Sequence, residues 1–169
     1  MNTVRFLKTP KVLVLQAVVI LFLTSLALGN QDPSSGPALG ETISLSSFQG
    51  RDGRSLAEVI KGHSLAMLVL VSPNCTTCTA TKDTMSNLRE RVAKPGIPYY
   101  VLMIPDSSET QKYFSYADSL DLKADAFIWS SSEAKPPSSL ALIPVPSHLL
   151  ITNEGLVVNK WIGTTPDSK

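Results

Sequence analysis

The sequence has few cysteines and histidines, and neither sign of charge predominates. It contains two Cys and two His among 169 residues, with 15 Lys and Arg against 14 Asp and Glu. Two cysteines are too few for a small secreted domain held together by several disulfides. A net charge of +1 gives no broad basic surface, so we expect no nucleic-acid partner. The length is that of one domain with its own hydrophobic core.

The first 29 residues contain no acidic side chain and include a long, largely apolar stretch without any charged residue. Three basic residues come first, Arg5, Lys8 and Lys11. Residues 12–28 then carry no ionisable side chain, a length at the lower edge of a membrane-spanning helix. We expect residues 1–29 to be either a signal peptide cleaved after Gly29 or an uncleaved hydrophobic helix anchored in the cytoplasmic membrane. In both cases the basic end stays inside and the rest of the chain is exported.

The exported part divides into a spacer and a domain. Residues 30–40 are rich in Pro, Gly and Ser, a composition typical of a flexible linker. Residues 41–169 form the predicted domain. This domain faces the periplasm or another extracytoplasmic space, or is secreted if the amino-terminal segment is removed.

The sequence predicts one strand of this domain, its burial on both faces, and the helix that follows it. Residues 65–71 are all apolar, which is typical of a strand covered on both faces within a parallel sheet. Apolar side chains then recur at spacings of three and four from Cys78 to Val92, which predicts one helix that ends near Lys94. The two cysteines, Cys75 and Cys78, therefore lie where the central strand joins a helix.

The remaining pattern alternates between strands and helices, which indicates an α/β domain with a central mixed sheet and flanking helices. A weak strand over residues 42–48 is followed by a hairpin turn at Asp52-Gly53 and a short helix that ends near Lys61. Further strands are expected at 99–104 and 126–129, a helix at 107–120, a polar loop at 130–139, and a hairpin of 149–152 with 156–162.

The C-x-x-C spacing brings two sulfurs within bonding reach at a helix start. Backbone N–H groups there favour a thiolate, so Cys75 is the expected nucleophile. Cys78 lies on the apolar helix face, so it is expected to be more buried and to act as the resolving thiol. This chemistry is thiol-disulfide exchange and needs no cofactor.

Other interpretations of the pair remain. A structural disulfide would close a very short loop, and a zinc site would need four ligands, for which only His63 and His148 could join the cysteines. Two thiolates could also hold copper for delivery or assembly. A peroxidase motif would place Pro at position 68, where this chain has Leu.

Three segments together resemble the membrane-tethered, redoxin-like branch (TlpA/ResA-type) of the thioredoxin-fold thiol-disulfide oxidoreductases. They are LAMLVLVSPNCTTC at 65–78, the Val145-Pro146-Ser147 segment, and LLITNEGLVVNKWIG at 149–163. The resemblance implies a thioredoxin-like fold preceded by the amino-terminal hydrophobic helix. It also implies protein thiols and disulfides as substrates, and a membrane-bound redox partner that recycles the cysteine pair.

The resemblance also implies a substrate-binding segment. In that family a cis-proline faces the C-x-x-C, and the backbone of the residue before it pairs with substrate, which corresponds here to Val145 and Pro146; Pro144 is the alternative. Asn74, which could cap the helix, stands where relatives often carry Trp. The residues between the cysteines are Thr76 and Thr77 rather than Pro or His.

Overall fold

The computed structural model of the protein describes residues 36–105, 110–130, 136 and 138–163. The predicted signal peptide or anchor over residues 1–29, and most of the predicted linker, lie outside the described residues. Within the described part of the chain, no helix is long and apolar enough to cross a membrane.

A six-stranded mixed sheet forms the centre of the domain. Its strands, in chain order, are β1 (Phe48–Gly50), β2 (Leu65–Leu70), β3 (Tyr99–Met103), β4 (Ala126–Trp129), β5 (Ser147–Thr152) and β6 (Val157–Ile162). Their order across the sheet is β1-β4-β3-β2-β5-β6. The β2-β3 and β3-β4 pairs are parallel, whereas β1-β4, β2-β5 and β5-β6 are antiparallel. The predicted α/β class with a mixed sheet is therefore confirmed, and antiparallel strands lie at both edges of the sheet.

Within the described ranges, five α-helices accompany the sheet. They are α1 (Leu56–Ile60), α2 (Thr76–Ala80), α3 (Lys82–Ala93), α4 (Thr110–Ser119) and α5 (Ser138–Ala141). Helix α5 begins inside the segment that was expected to be a loop. Helix α1 starts at a capping box: the Ser55 amide donates to the Glu58 carboxylate at 2.7 Å, and the Glu58 amide donates to Ser55 Oγ at 3.3 Å.

Strand β2 separates two hydrophobic cores. Leu68 and Leu70 belong to the core that includes Phe48 and Trp129. Met67 and Val69 belong to the opposite core, which includes both cysteines. Five of the six β2 residues are buried. The uninterrupted apolar run of β2 therefore packs against a hydrophobic core on each face of the sheet, as the sequence predicts.

The strand predicted over residues 42–48 is wrong in its extent. Thr42 forms only an isolated bridge with Leu156, and Leu45–Ser47 is a short 3₁₀ helix. The turn at Asp52-Gly53 is present, but only one bridge, between Gln49 and Ser55, spans it. Strand β1 pairs with β4 instead, because this pairing buries Phe48 edge-on against Trp129 with ring centroids 5.2 Å apart.

The single helix predicted after the cysteines is two helices. The break lies at Thr81, whose φ of −105° and ψ of 11° are not helical. The Thr81 hydroxyl and amide both donate to the Thr77 carbonyl, at 2.8 and 2.9 Å. Such a side-chain bond to the preceding turn bends a helix. It allows α2 and α3 to run in succession while Cys78 and Met85 both remain buried.

Candidate active site

The two cysteines lie just beyond the carboxyl end of the central strand β2. They form a disulfide, with Cα atoms 5.3 Å apart. Cys75 is the N-cap residue of α2, and Cys78 lies within that helix. Cys75 is 9% exposed and Cys78 is fully buried. Cys75 is thus the more exposed residue of the pair, and Cys78 packs within the core beneath the helix.

The helix start directs a hydrogen bond at the accessible sulfur. The Cys78 amide donates to Cys75 Sγ at 2.9 Å. An amide donor in this position would stabilise a Cys75 thiolate in the reduced pair. Asn74, expected as a possible cap, is exposed and is not the cap residue; the cap is the cysteine sulfur itself.

The Val145-Pro146 segment faces this sulfur. The Val145 carbonyl oxygen lies 3.3 Å from Cys75 Sγ. A sulfur in a disulfide carries no hydrogen, so this is a close contact here, whereas a Cys75 thiol could donate to the same oxygen. The peptide between Val145 and Pro146 is cis. The structure therefore places three of the expected site residues, Cys75, Cys78 and Val145, around one sulfur.

Two further contacts hold this segment in place. The Gly163 amide donates to the Pro146 carbonyl at 2.8 Å, and the Ser147 hydroxyl donates to the Pro144 carbonyl. Pro146 and Ser147 are buried, whereas Val145 is only partly buried. The backbone of Val145 is thus presented at the surface by neighbours that are themselves fixed.

A buried polar pair lies on the same face of the sheet as the cysteines. His148 is fully buried and is opposite Val69, a member of the core that contains both cysteines. Its Nε2 lies 3.1 Å from the Tyr99 hydroxyl, and its Nδ1 has no partner among the described residues. Burial lowers the pKa of His148 to about 4, so the imidazole is neutral near pH 7. Burial also raises the pKa of Tyr99.

The sequence does not reveal this pair. His148 follows Pro146 and Ser147, and nothing in that polar-looking stretch marks it as part of a buried strand. One sequence signal could have revealed it. His148 stands two residues before Leu150, so the two share a face of a strand whose partner, β2, is apolar throughout.

The described residues provide no obvious metal centre. They hold no group of three or more His, Cys, Asp or Glu side chains placed to bind an ion. His63 is exposed, and the Nε2 of His148 is occupied by Tyr99. A cleft of about 290 Å³ is lined by Arg51, Phe114 and Asp118 among others, and by neither cysteine.

No protein-family model and no curated protein matches the sequence. Solved structures do match. The thioredoxin domain of a thiol-disulfide oxidoreductase from Bacteroides vulgatus is 14% identical, with 75% of this chain and 89% of that chain covered and a TM-score of 0.59. A thio-disulfide isomerase from Thermus thermophilus is 19% identical, with 76% and 89% covered and a TM-score of 0.56. A thiol:disulfide interchange protein from Bacteroides sp. is 14% identical, with 75% and 82% covered and a TM-score of 0.57.

These similarities establish the fold. The chain has a thioredoxin-like fold, as the resemblance of its segments implies, with a C-x-x-C pair at the junction of the central strand and the following helix. The sequence identities are too low to transfer an activity, so function is argued from the site.

Proposed function

We propose that this protein is a thiol-disulfide oxidoreductase that acts on protein thiols and disulfides through Cys75 and Cys78. The observation that carries the proposal is the asymmetric pair at the start of α2. Cys75 is the more exposed of the two residues, at 9% against 0% for Cys78, and its sulfur accepts a backbone hydrogen bond within bonding distance of Cys78. This asymmetry suits a nucleophile and a resolving thiol.

The reaction begins from the reduced pair. The Cys75 thiolate attacks one sulfur of a substrate disulfide and forms a mixed disulfide, while the other substrate sulfur leaves as a thiolate and takes up a proton. Cys78 then loses its proton, and its sulfur attacks Cys75 Sγ. This step forms the Cys75-Cys78 disulfide and releases the second substrate thiolate. Two electrons have passed from the cysteine pair to the substrate.

The reverse sequence oxidises a substrate dithiol by the same bonds. Turnover in either direction requires a second thiol or disulfide partner that restores the starting state of the pair. We propose that this partner is a membrane-bound redox protein, and that the domain works outside the cytoplasmic membrane, where disulfide chemistry operates. The basic leader and apolar run at residues 1–29 support this location, either as an anchor or as a cleaved signal.

Val145 and Pro146 are the proposed substrate-binding residues. The Val145 backbone lies beside the attacking sulfur, and its side chain is only partly buried. An extended substrate segment that pairs with this backbone would bring its own sulfur to Cys75. Main-chain pairing of this kind binds many sequences, which suits an enzyme acting on polypeptides.

The test uses two single-cysteine variants of the full chain. Cys75→Ser should abolish reduction of a peptide disulfide, because no nucleophile remains. Cys78→Ser should form a stable mixed disulfide with the same peptide, because nothing displaces it. The mixed disulfide is measured by intact mass. Exchange activity that survives in Cys75→Ser would refute the assignment of the nucleophile.

A control separates exchange from the alternatives. Stoichiometric copper binding with no exchange in the unaltered protein would favour metal delivery, and rapid turnover of hydrogen peroxide would favour a peroxidase. We expect slow peroxide oxidation and fast exchange with a disulfide peptide.

A further inference from the structure

The chain segment that precedes β1 packs along the start of β6. We call residues 36–43 the amino-terminal strap. The Gly40 amide donates to the Val157 carbonyl at 2.8 Å, and the Val157 amide donates to the Glu41 carbonyl at 2.9 Å. Ile43 is 1% exposed and lies in the same hydrophobic core as Val157. The strap is therefore held on the sheet by its backbone and by a buried side chain.

The Glu41 carboxylate reaches from the strap to helix α5. Its Oε1 accepts a hydrogen bond from the Ser139 hydroxyl at 2.6 Å, and its Oε2 accepts one from the Ala38 amide at 2.8 Å. Both oxygens are thus used, and the side chain is only partly exposed. Hydrogen bonds to a carboxylate are stronger than those between neutral groups. The Glu41-Ser139 contact therefore ties two distant parts of the chain together.

Helix α5 leads directly to the segment beside the cysteines. Ser139 stands six residues before Val145, whose carbonyl oxygen lies 3.3 Å from Cys75 Sγ. The helix has only four residues, and a helix this short is not stable by itself. Its position is therefore set by contacts with the rest of the domain, including the burial of Leu140 and Ile143 in the core.

A second contact joins the strap to the same loop. Gly36 is buried with a φ of +83°, and a Cβ added to it would lie 2.5 Å from Ile143 Cδ1. The backbone of the strap thus packs directly on the Ile143 side chain, two residues before Val145. The strap contacts the chain that leads to Val145 once within α5, through a polar group, and once just after it, through an apolar one.

We propose that Glu41 is a positioning residue for exchange with polypeptide substrates, because its bond to Ser139 fixes the loop that holds the Val145 backbone beside Cys75. This inference rests on the proposed function. Glu41 acts through the loop rather than on the reacting sulfurs. If the loop is released, a substrate segment paired with Val145 places its sulfur less accurately for attack. A small disulfide that does not pair with this backbone depends on Cys75 alone.

Two substrates separate positioning from the reactivity of the thiol. One is hydroxyethyl disulfide, and the other is a peptide whose cysteine is linked to the same small thiol, mercaptoethanol. Second-order rate constants are measured with the chemically reduced full chain. Glu41→Ala should lower the peptide rate about tenfold and leave the hydroxyethyl disulfide rate unchanged. Ser139→Ala should act in the same direction, and the double variant should be no slower than Glu41→Ala, because both changes break one contact.

Two further variants are the controls. Glu41→Gln keeps an oxygen for the Ala38 amide and offers its own amide group to the Ser139 hydroxyl, so it should keep at least about half of the peptide rate. Glu90→Ala removes an exposed carboxylate from α3 and should leave both rates unchanged.

The outcomes distinguish the two proposals. An unchanged peptide rate in the alanine variants would overturn the positioning role of Glu41. An equal loss on both substrates would overturn it as well, because it would mean a general loss of reactive protein. If Glu41→Ala does not fold, Ser139→Ala decides by the same two rates. Failure of the unaltered protein to reduce hydroxyethyl disulfide would refute the proposed function itself.

Discussion

Acidification should destabilise the folded domain through one buried side chain, His148. Burial lowers its pKa from 6.5 to about 4. Between these two values the unfolded chain binds a proton that the folded chain does not, so stability falls as the pH falls through this window. The full penalty, reached below pH 4, is about 3 kcal/mol, from 1.36 kcal/mol per pKa unit.

The magnitude can be measured under conditions in which most carboxylates are still ionised. From about pH 7 to about pH 5 the His148 contribution is about 2 kcal/mol of unfolding free energy. Urea unfolding of the oxidised protein at constant ionic strength measures it. His148→Gln removes the titrating group and keeps a polar side chain for the Tyr99 hydroxyl, so its unfolding free energy should lose about 2 kcal/mol less over the same interval.

The test compares how the unfolding free energy changes with pH in the two proteins. It is therefore independent of any overall loss of stability in the variant. His63→Gln, at an exposed position, is the control and should keep the slope of the unaltered protein. If the pH dependence of His148→Gln coincides with that of the unaltered protein, the argument from burial is refuted.

Two further predictions concern stability elsewhere in the domain. Ser55→Ala removes the side-chain half of the α1 capping box and should cost about 1 kcal/mol of unfolding free energy, measured by urea unfolding at neutral pH; an unchanged midpoint would show that the Glu58 half suffices. Gly155→Ala should cost more than Gly53→Ala, by about 1 kcal/mol or more, because both have positive φ but an added Cβ at 155 meets the Ile43 carbonyl whereas at 53 it meets nothing. Equal thermal shifts for the two would contradict this.

The elements that the sequence predicts well are those marked by a pattern of residues close together along the chain. The uninterrupted apolar run at 65–71 gives β2 and its burial on both faces. The Asn153-Glu154-Gly155 turn gives the β5-β6 hairpin, with Gly155 at a φ of +86°. The placement of Cys75 and Cys78 at the strand-helix junction follows from the same local reading.

The features that sequence does not reveal depend on distant partners. The choice of β4 as the partner of β1 is decided by Phe48 and Trp129, which are far apart along the chain. The closeness of Val145 to Cys75 follows from the family resemblance and not from spacing, since 70 residues separate them. The hydrogen-bond partner of His148 is Tyr99, which lies on β3, on the far side of β2.

The construction of the two outer strands bears on how the sheet meets other molecules. Unpaired strand edges invite extension by another chain and so promote aggregation. Strand β1 has only three residues, too few to template a long neighbour. The pairing of strand β6 with β5 is irregular around Leu150 and Ile151. Strand β6 also contains a charged residue, Lys160, in its carboxyl-terminal half. Both edges of the sheet, as the described residues form them, thus carry features that disfavour pairing with a strand of another copy.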